Sequence, residues 1–122
     1  YFGFAYYAAD AERLNAVSVD GGNGCVAPSA ATIEDGTYSP LSRPLFIYVS
    51  LKSLETKPGL AEFVEYYLSQ DARELVEHTG YATYSDEIYD AVAARFSART
   101  TGTAFAGFEP GDSVLDAVKG IE

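Results

Sequence analysis

A chain of 122 residues has room for one ordinary core, and 48% hydrophobic with 14% aromatic residues argues for a folded chain, not a disordered one. A net charge of −10 repels a phosphodiester backbone and argues against a nucleic-acid partner. No stretch approaches the ~20 apolar residues of a membrane span, and the single cysteine, Cys25, excludes a disulfide within the chain.

The chain has no methionine and opens on the apolar run Tyr1-Phe2-Gly3-Phe4. The expectation is a cut through a longer structure, with residues 1–4 as the end of a buried strand. A mature chain trimmed by a signal peptidase is the alternative. Residues 5–14 hold strong helix formers and no Gly or Pro, so a helix is predicted there, ending near Asn15. Residues 16–19 read as a short Val-rich strand. Asp20-Gly21-Gly22-Asn23-Gly24 is a loop by composition, because Gly and Asn tolerate positive φ. Ser29 is a good N-cap after Pro28, for a short helix over 30–34 that stops at Gly36.

Pro40 and Pro44 bracket an extended connection. Leu45-Phe46-Ile47-Tyr48-Val49 is continuously apolar, which predicts a central strand covered on both faces. Pro58 suits a helix start. Leu60, Phe63, Val64, Tyr67 and Leu68 then fall on one helical stripe. A second helix is predicted over 71–79, closing at Gly80. Ser85 caps a third, with Ile88, Val92 and Phe96 as its inner row. Residues 100–108 read as a loop or edge strand, and Asp112 or Ser113 opens a last short helix through Val118 to Gly120. Strands alternating with helices predict an α/β fold on a mostly parallel sheet. The helical tail without matching strands implies that other strands lie in further polypeptide.

No catalytic constellation emerges. Gly21-Gly22-Asn23-Gly24 lacks phosphate-loop spacing and reads as a turn. His78, the one histidine, falls at a helix C-terminus, where imidazolium interacts well with the dipole. Cys25 reads as a small buried thiol or as half of a bridge to a cysteine elsewhere. One His and one Cys do not build a zinc site. Asp71, Glu74 and Glu77, and Asp86 with Glu87, read as solvated helix faces. The doublets Tyr6-Tyr7 and Tyr66-Tyr67 read as the edge of a core, with a sugar platform as the alternative. Arg43 precedes Pro44 and is biased to extended backbone. It suits a hinge ion pair or, less directly, a bidentate hold on an oxyanion.

Phe2-Gly3-Phe4-Ala5-Tyr6-Tyr7, Ala16-Val17-Ser18-Val19-Asp20, Val26-Ala27-Pro28-Ser29, Pro40-Leu41-Ser42-Arg43-Pro44-Leu45-Phe46-Ile47-Tyr48-Val49 and Gly80-Tyr81-Ala82 occur in this order. In that order they resemble the C-terminal part of bacterial phosphate-binding proteins, the extracytoplasmic solute-binding receptors of phosphate ABC importers. The resemblance spans residues 1–98, with residues 101–118 similar to an extension in some members. It implies the C-terminal portion of a two-lobed type II periplasmic binding protein fold. Residues 1–41 would finish the second lobe, 42–51 would cross between lobes, and 52–122 would pack on the first lobe. It implies inorganic phosphate as ligand, a membrane permease and the N-terminal remainder of the protein as partners, and no cofactor.

The family's phosphate ligands would lie upstream of Tyr1, including an Arg-x-x-x-Ser-Gly-Thr motif. Thr101-Gly102-Thr103 lacks the upstream arginine and is not mapped onto it. No ligand-binding, catalytic or metal residue is therefore assigned in this chain. A receptor for another oxyanion and a stand-alone interaction or structural domain are the competing readings. An enzyme ranks below both.

Overall fold

The computed structural model describes residues 2–109 and 112–120. Tyr1, and residues 110–111 and 121–122 of the predicted 52–122 segment, fall outside that description. The element order is α1 (Phe4–Ala9), β1 (Val19–Asp20), β2 (Cys25–Val26), α2 (Ala30–Glu34), α3 (Leu51–Thr56), α4 (Leu60–Tyr67), α5 (Gln70–His78), α6 (Asp86–Ser97) and α7 (Val114–Lys119).

Several helices begin and end where capping chemistry dictates. The Ser29 hydroxyl accepts the Thr32 amide at 3.1 Å while the Thr32 hydroxyl accepts the Ser29 amide at 2.9 Å, so α2 opens with a reciprocal capping box. Ser50 and Ser113 cap α3 and α7 in the same one-sided way, each accepting an amide three residues on. Ser85 precedes α6 as predicted, without a side-chain cap, and Asp86 and Glu87 place negative charge on its first turn. α3 is not among the predicted elements. It begins at the last residue of the predicted 42–51 crossing and has too few residues for an apolar stripe.

The sheet is small. β1 and β2 pair antiparallel, Val19 with Val26 and Asp20 with Cys25, and no other strand occurs among the described residues. The mostly parallel sheet expected from the sequence is therefore not present here; the chain is mainly helical with one short hairpin. Residues 45–49 carry no strand assignment, and Leu45 is 74% and Tyr48 92% exposed. That overturns the expectation of a covered central strand within this chain. The physical reason is that a strand is completed by backbone partners from elsewhere, and no described segment pairs with this one. Residues 2–4 are also not a buried strand. Phe4 opens α1, Phe2 is exposed, and α1 stops at Ala9, well before Asn15.

The core lies among the C-terminal helices. α3 packs on α4, α4 on α5, and α6 on α7. Val64 of α4, Ala72 of α5 and Val118 of α7 are the buried apolar residues among those described. Val64 comes from the predicted stripe. Phe63 of that stripe faces solvent, while Leu60, Tyr67 and Leu68 are half-buried. Gly80 brings the N-terminal segment against this body. Its φ is +82°, and a Cβ there would meet Ala5 at 3.3 Å, so a side chain would be both strained and crowded.

The accessible surface is 8869 Å². A folded monomer of this mass exposes roughly 6,400 Å². The surplus includes Leu45, Phe46, Ile47 and Tyr48 together with Phe63 and Tyr66 of α4 and Leu75 of α5.

Candidate functional site

A cleft of about 480 Å³ lies between the end of α4, the start of α5 and one face of α6. Arg73 dominates it. Its guanidinium pairs with Asp86 and lies over the Tyr89 ring, 4.1 Å from the centroid. Only 15% of the Arg73 side chain is exposed, against 80% of Asp86. Its Nε is buried without a hydrogen-bond partner among the described residues. Burial raises the Tyr89 hydroxyl above its ordinary value, and the nearby Arg73 charge pulls the other way. The arrangement stacks a cation on an aromatic face and fixes α5 against α6.

This cleft is ill suited to phosphate. Glu65, Asp86 and Asp90 line it against the single Arg73. An oxyanion entering would meet three carboxylates and one guanidinium already engaged, so like charges prevail. Asp86 and Glu87 are exposed, as expected of a solvated face, and each also pairs with a cation of another helix: Asp86 with Arg73 of α5, and Glu87 with Lys119 of α7. The sequence spacing gives no sign of these pairs, because their partners come from other helices.

The glycine cluster behaves as the predicted turn, with a specific reason. The Asp20 carboxylate accepts the Gly22 amide at 2.8 Å and the Gly24 amide at 3.0 Å. The amides that might cradle an external anion already hold an internal one. Cys25 is an exposed free thiol on β2, which corrects the expectation of a buried one. A two-residue edge strand has no core to bury it.

His78 occupies the last turn of α5, as expected. Arg43 is exposed in the extended connection before Pro44. Tyr6 and Tyr66 face solvent while Tyr7 and Tyr67 are half-buried, so each doublet straddles a boundary. The Thr103 hydroxyl accepts the Phe105 amide at 3.0 Å and shapes a turn. No group of three or more His, Cys, Asp or Glu residues suited to a metal occurs among the described residues. No described helix is long and apolar enough to cross a membrane.

No protein-family model and no solved structure matches the chain. Individual relatives do. Protein SphX of Synechocystis sp. is 42% identical over 120 residues, which is 98% of this chain. Protein SphX of Synechococcus elongatus is 40% identical over 121 residues. Phosphate-binding protein PstS of Staphylococcus haemolyticus is 38% identical over 96 residues, 74% of this chain. This chain is similar to part of each of these proteins. It spans about a third of the length of these relatives, 34%, 35% and 30% in turn. The resemblance read from the ordered sequence motifs has its counterpart in these relatives.

Proposed function

We propose that this chain is the C-terminal part of an extracytoplasmic receptor that captures inorganic phosphate for an ABC importer. The observation that carries the reading is the 38% identity over 96 residues to a protein named for phosphate binding. In this reading residues 1–41 finish the second lobe of a type II binding-protein fold. Residues 42–51 cross between lobes, and the following helices pack on the first. The exposed apolar run at 45–48 and the surplus accessible surface fit a segment that gains its covering from the rest of such a protein. The phosphate ligands then belong to that remainder, and the pieces described here supply scaffold and crossing.

The chemistry of capture follows from the ligand. Two lobes close around a dehydrated oxyanion, with the crossing strands absorbing the rotation. Amide and hydroxyl donors hold the oxygens. A carboxylate acceptor selects a ligand that still carries a proton, since an aprotic anion leaves it unpaired at a cost of about 1–3 kcal/mol or more. The charge of −10 does not oppose this, because surface carboxylates are screened within about 10 Å at 0.1 M salt.

Calorimetric titration of the longer protein with phosphate, and separately with sulfate, tests the reading. Phosphate is expected to bind and sulfate to bind far more weakly. Preference for sulfate would mark a receptor for another oxyanion, and silence with both would remove the receptor function. The 122-residue chain alone is expected to bind phosphate feebly or not at all.

A further inference from the structure

The apolar crossing segment is gripped at one point. The Phe46 ring meets Phe105 edge-on, with centroids 4.8 Å apart and planes at 63°. Phe105 in turn meets Phe108 at 5.1 Å and 79°. Both geometries are the favoured edge-to-face arrangement of aromatic quadrupoles. Phe105 and Phe108 are half-buried, while Leu45, Ile47 and Tyr48 around Phe46 are open to solvent.

The loop that carries the two gripping rings is shaped locally and fastened to α6. The Thr100 amide donates to the Arg95 carbonyl at 3.1 Å, and the Phe108 amide to the Phe105 carbonyl at 3.2 Å. The Phe105 amide donates to the Thr103 hydroxyl. Beyond the loop, α7 is held against α6 by buried Val118 and by the Lys119–Glu87 ion pair. Residues 100–108 thus leave the body of C-terminal helices, touch the crossing segment, and are followed by a helix anchored on the same body.

We propose that residues 100–108 are a strap whose Phe105 and Phe108 grip Phe46 and thereby limit how far the lobes of the receptor swing apart. The inference rests on reading residues 42–51 as the crossing between lobes. A crossing segment tied to the helical body has fewer conformations in the open state than an untied one. Releasing the tie adds conformational entropy mainly to the open, unliganded ensemble, so the closed phosphate-bound state loses population. An aromatic pair of this kind sets the scale at roughly a 2- to 12-fold change in the balance.

The experiment uses the longer protein carrying Phe105→Ala with Phe108→Ala, and inorganic phosphate as the probe. Stopped-flow release is expected to be about 2- to 12-fold faster than in the parent. Small-angle scattering of the phosphate-free protein is expected to show a larger radius of gyration. Phe105→Tyr, which keeps the ring, is expected to behave as the parent. Phe46→Leu reads the same quantities from the other side of the contact and serves if the double variant fails to fold. Parental release and parental radius in a folded variant overturn the strap. Absence of phosphate binding by the parent protein instead removes the receptor reading, and the strap is then decided by the scattering comparison alone.

Discussion

The stretch up to residue 50 and the stretch after it fold on different terms. From α3 onward the chain is mostly helix, and Val64, Ala72 and Val118 are buried there. Before α3 there are two short helices, one hairpin of two residues per strand, and an exposed apolar run at 45–48. Helices satisfy their backbone groups within a few residues, so they form wherever propensity and a neighbouring helix suffice. An extended apolar run such as 45–49 has no such self-sufficiency. The contrast teaches that the later half buries apolar residues among its own helices, while the earlier half leaves its apolar run at 45–48 uncovered.

The sharpest way to break that comparison is amide hydrogen exchange on the chain alone and on the longer protein. In the chain alone, the interior of α4 through α6 is expected to be protected and residues 45–49 to exchange nearly freely. In the longer protein the 45–49 amides are expected to slow by about 10³-fold or more, the protection of a segment that opens only with several kcal/mol. Equal, free exchange of 45–49 in both proteins would mean that this run is a permanent surface feature.

A smaller effect comes from a tight backbone approach in the earlier half. A Cβ at Gly21 would stand 2.6 Å from the Ser39 carbonyl oxygen and 3.1 Å from its carbon. Both are backbone atoms, so relief requires moving either the hairpin loop or the turn before Pro40. Gly21→Ala is expected to cost about 1–3 kcal/mol in urea unfolding of the longer protein. Gly3→Ala, whose Cβ would meet Tyr6 at an ordinary 3.7 Å, is the control. A neutral Gly21→Ala would show that the earlier half adapts without resistance.

The same division decides what was legible in the sequence. The α2 cap at Ser29, the stop near Gly36, the α5 end at Gly80 and the α7 span before Gly120 are local signals, and the structure follows each. Whether a run such as 45–49 is paired depends on segments distant in sequence, and its hydrophobicity alone does not say so; no described segment pairs with it. The loop character of residues 20–24 was legible, while the reason for it, Asp20 binding two of the loop's own amides, was not. Arg73 went unread because its partners, Asp86 and Tyr89, come from the next helix. The kinship to phosphate-binding proteins was readable from ordered motifs. No binding residue was assigned from the sequence, and the described cleft sets Glu65, Asp86 and Asp90 against the single Arg73.

The gentlest test contrasts how the two halves hold a proton. In the earlier half Asp35 is held below the usual carboxylate range by hydrogen bonds from the Thr37 hydroxyl, at 2.6 Å, and then from the Thr37 amide. That cause is local and fully exposed. In the later half Tyr84 is raised above its ordinary value, first by burial and then by Tyr89. That cause is packing. The signs follow from linkage. A raised tyrosine contributes stability that is fully present below its unfolded value, near pH 10, and is lost as pH rises through the higher folded value. A lowered aspartate contributes stability that is present above its unfolded value, near pH 4, and is lost as pH falls through the folded value. Thermal melts of the longer protein are therefore expected to fall in Tm above about pH 10, and Tyr84→Phe is expected to make that fall shallower while leaving Tm at pH 7 nearly unchanged. Asp35→Asn is expected to alter only the acid limb, and less. An alkaline limb unmoved by Tyr84→Phe would mean that the later half is too loosely packed to keep water from the phenol, and the distinction between the two halves would lose its energetic content.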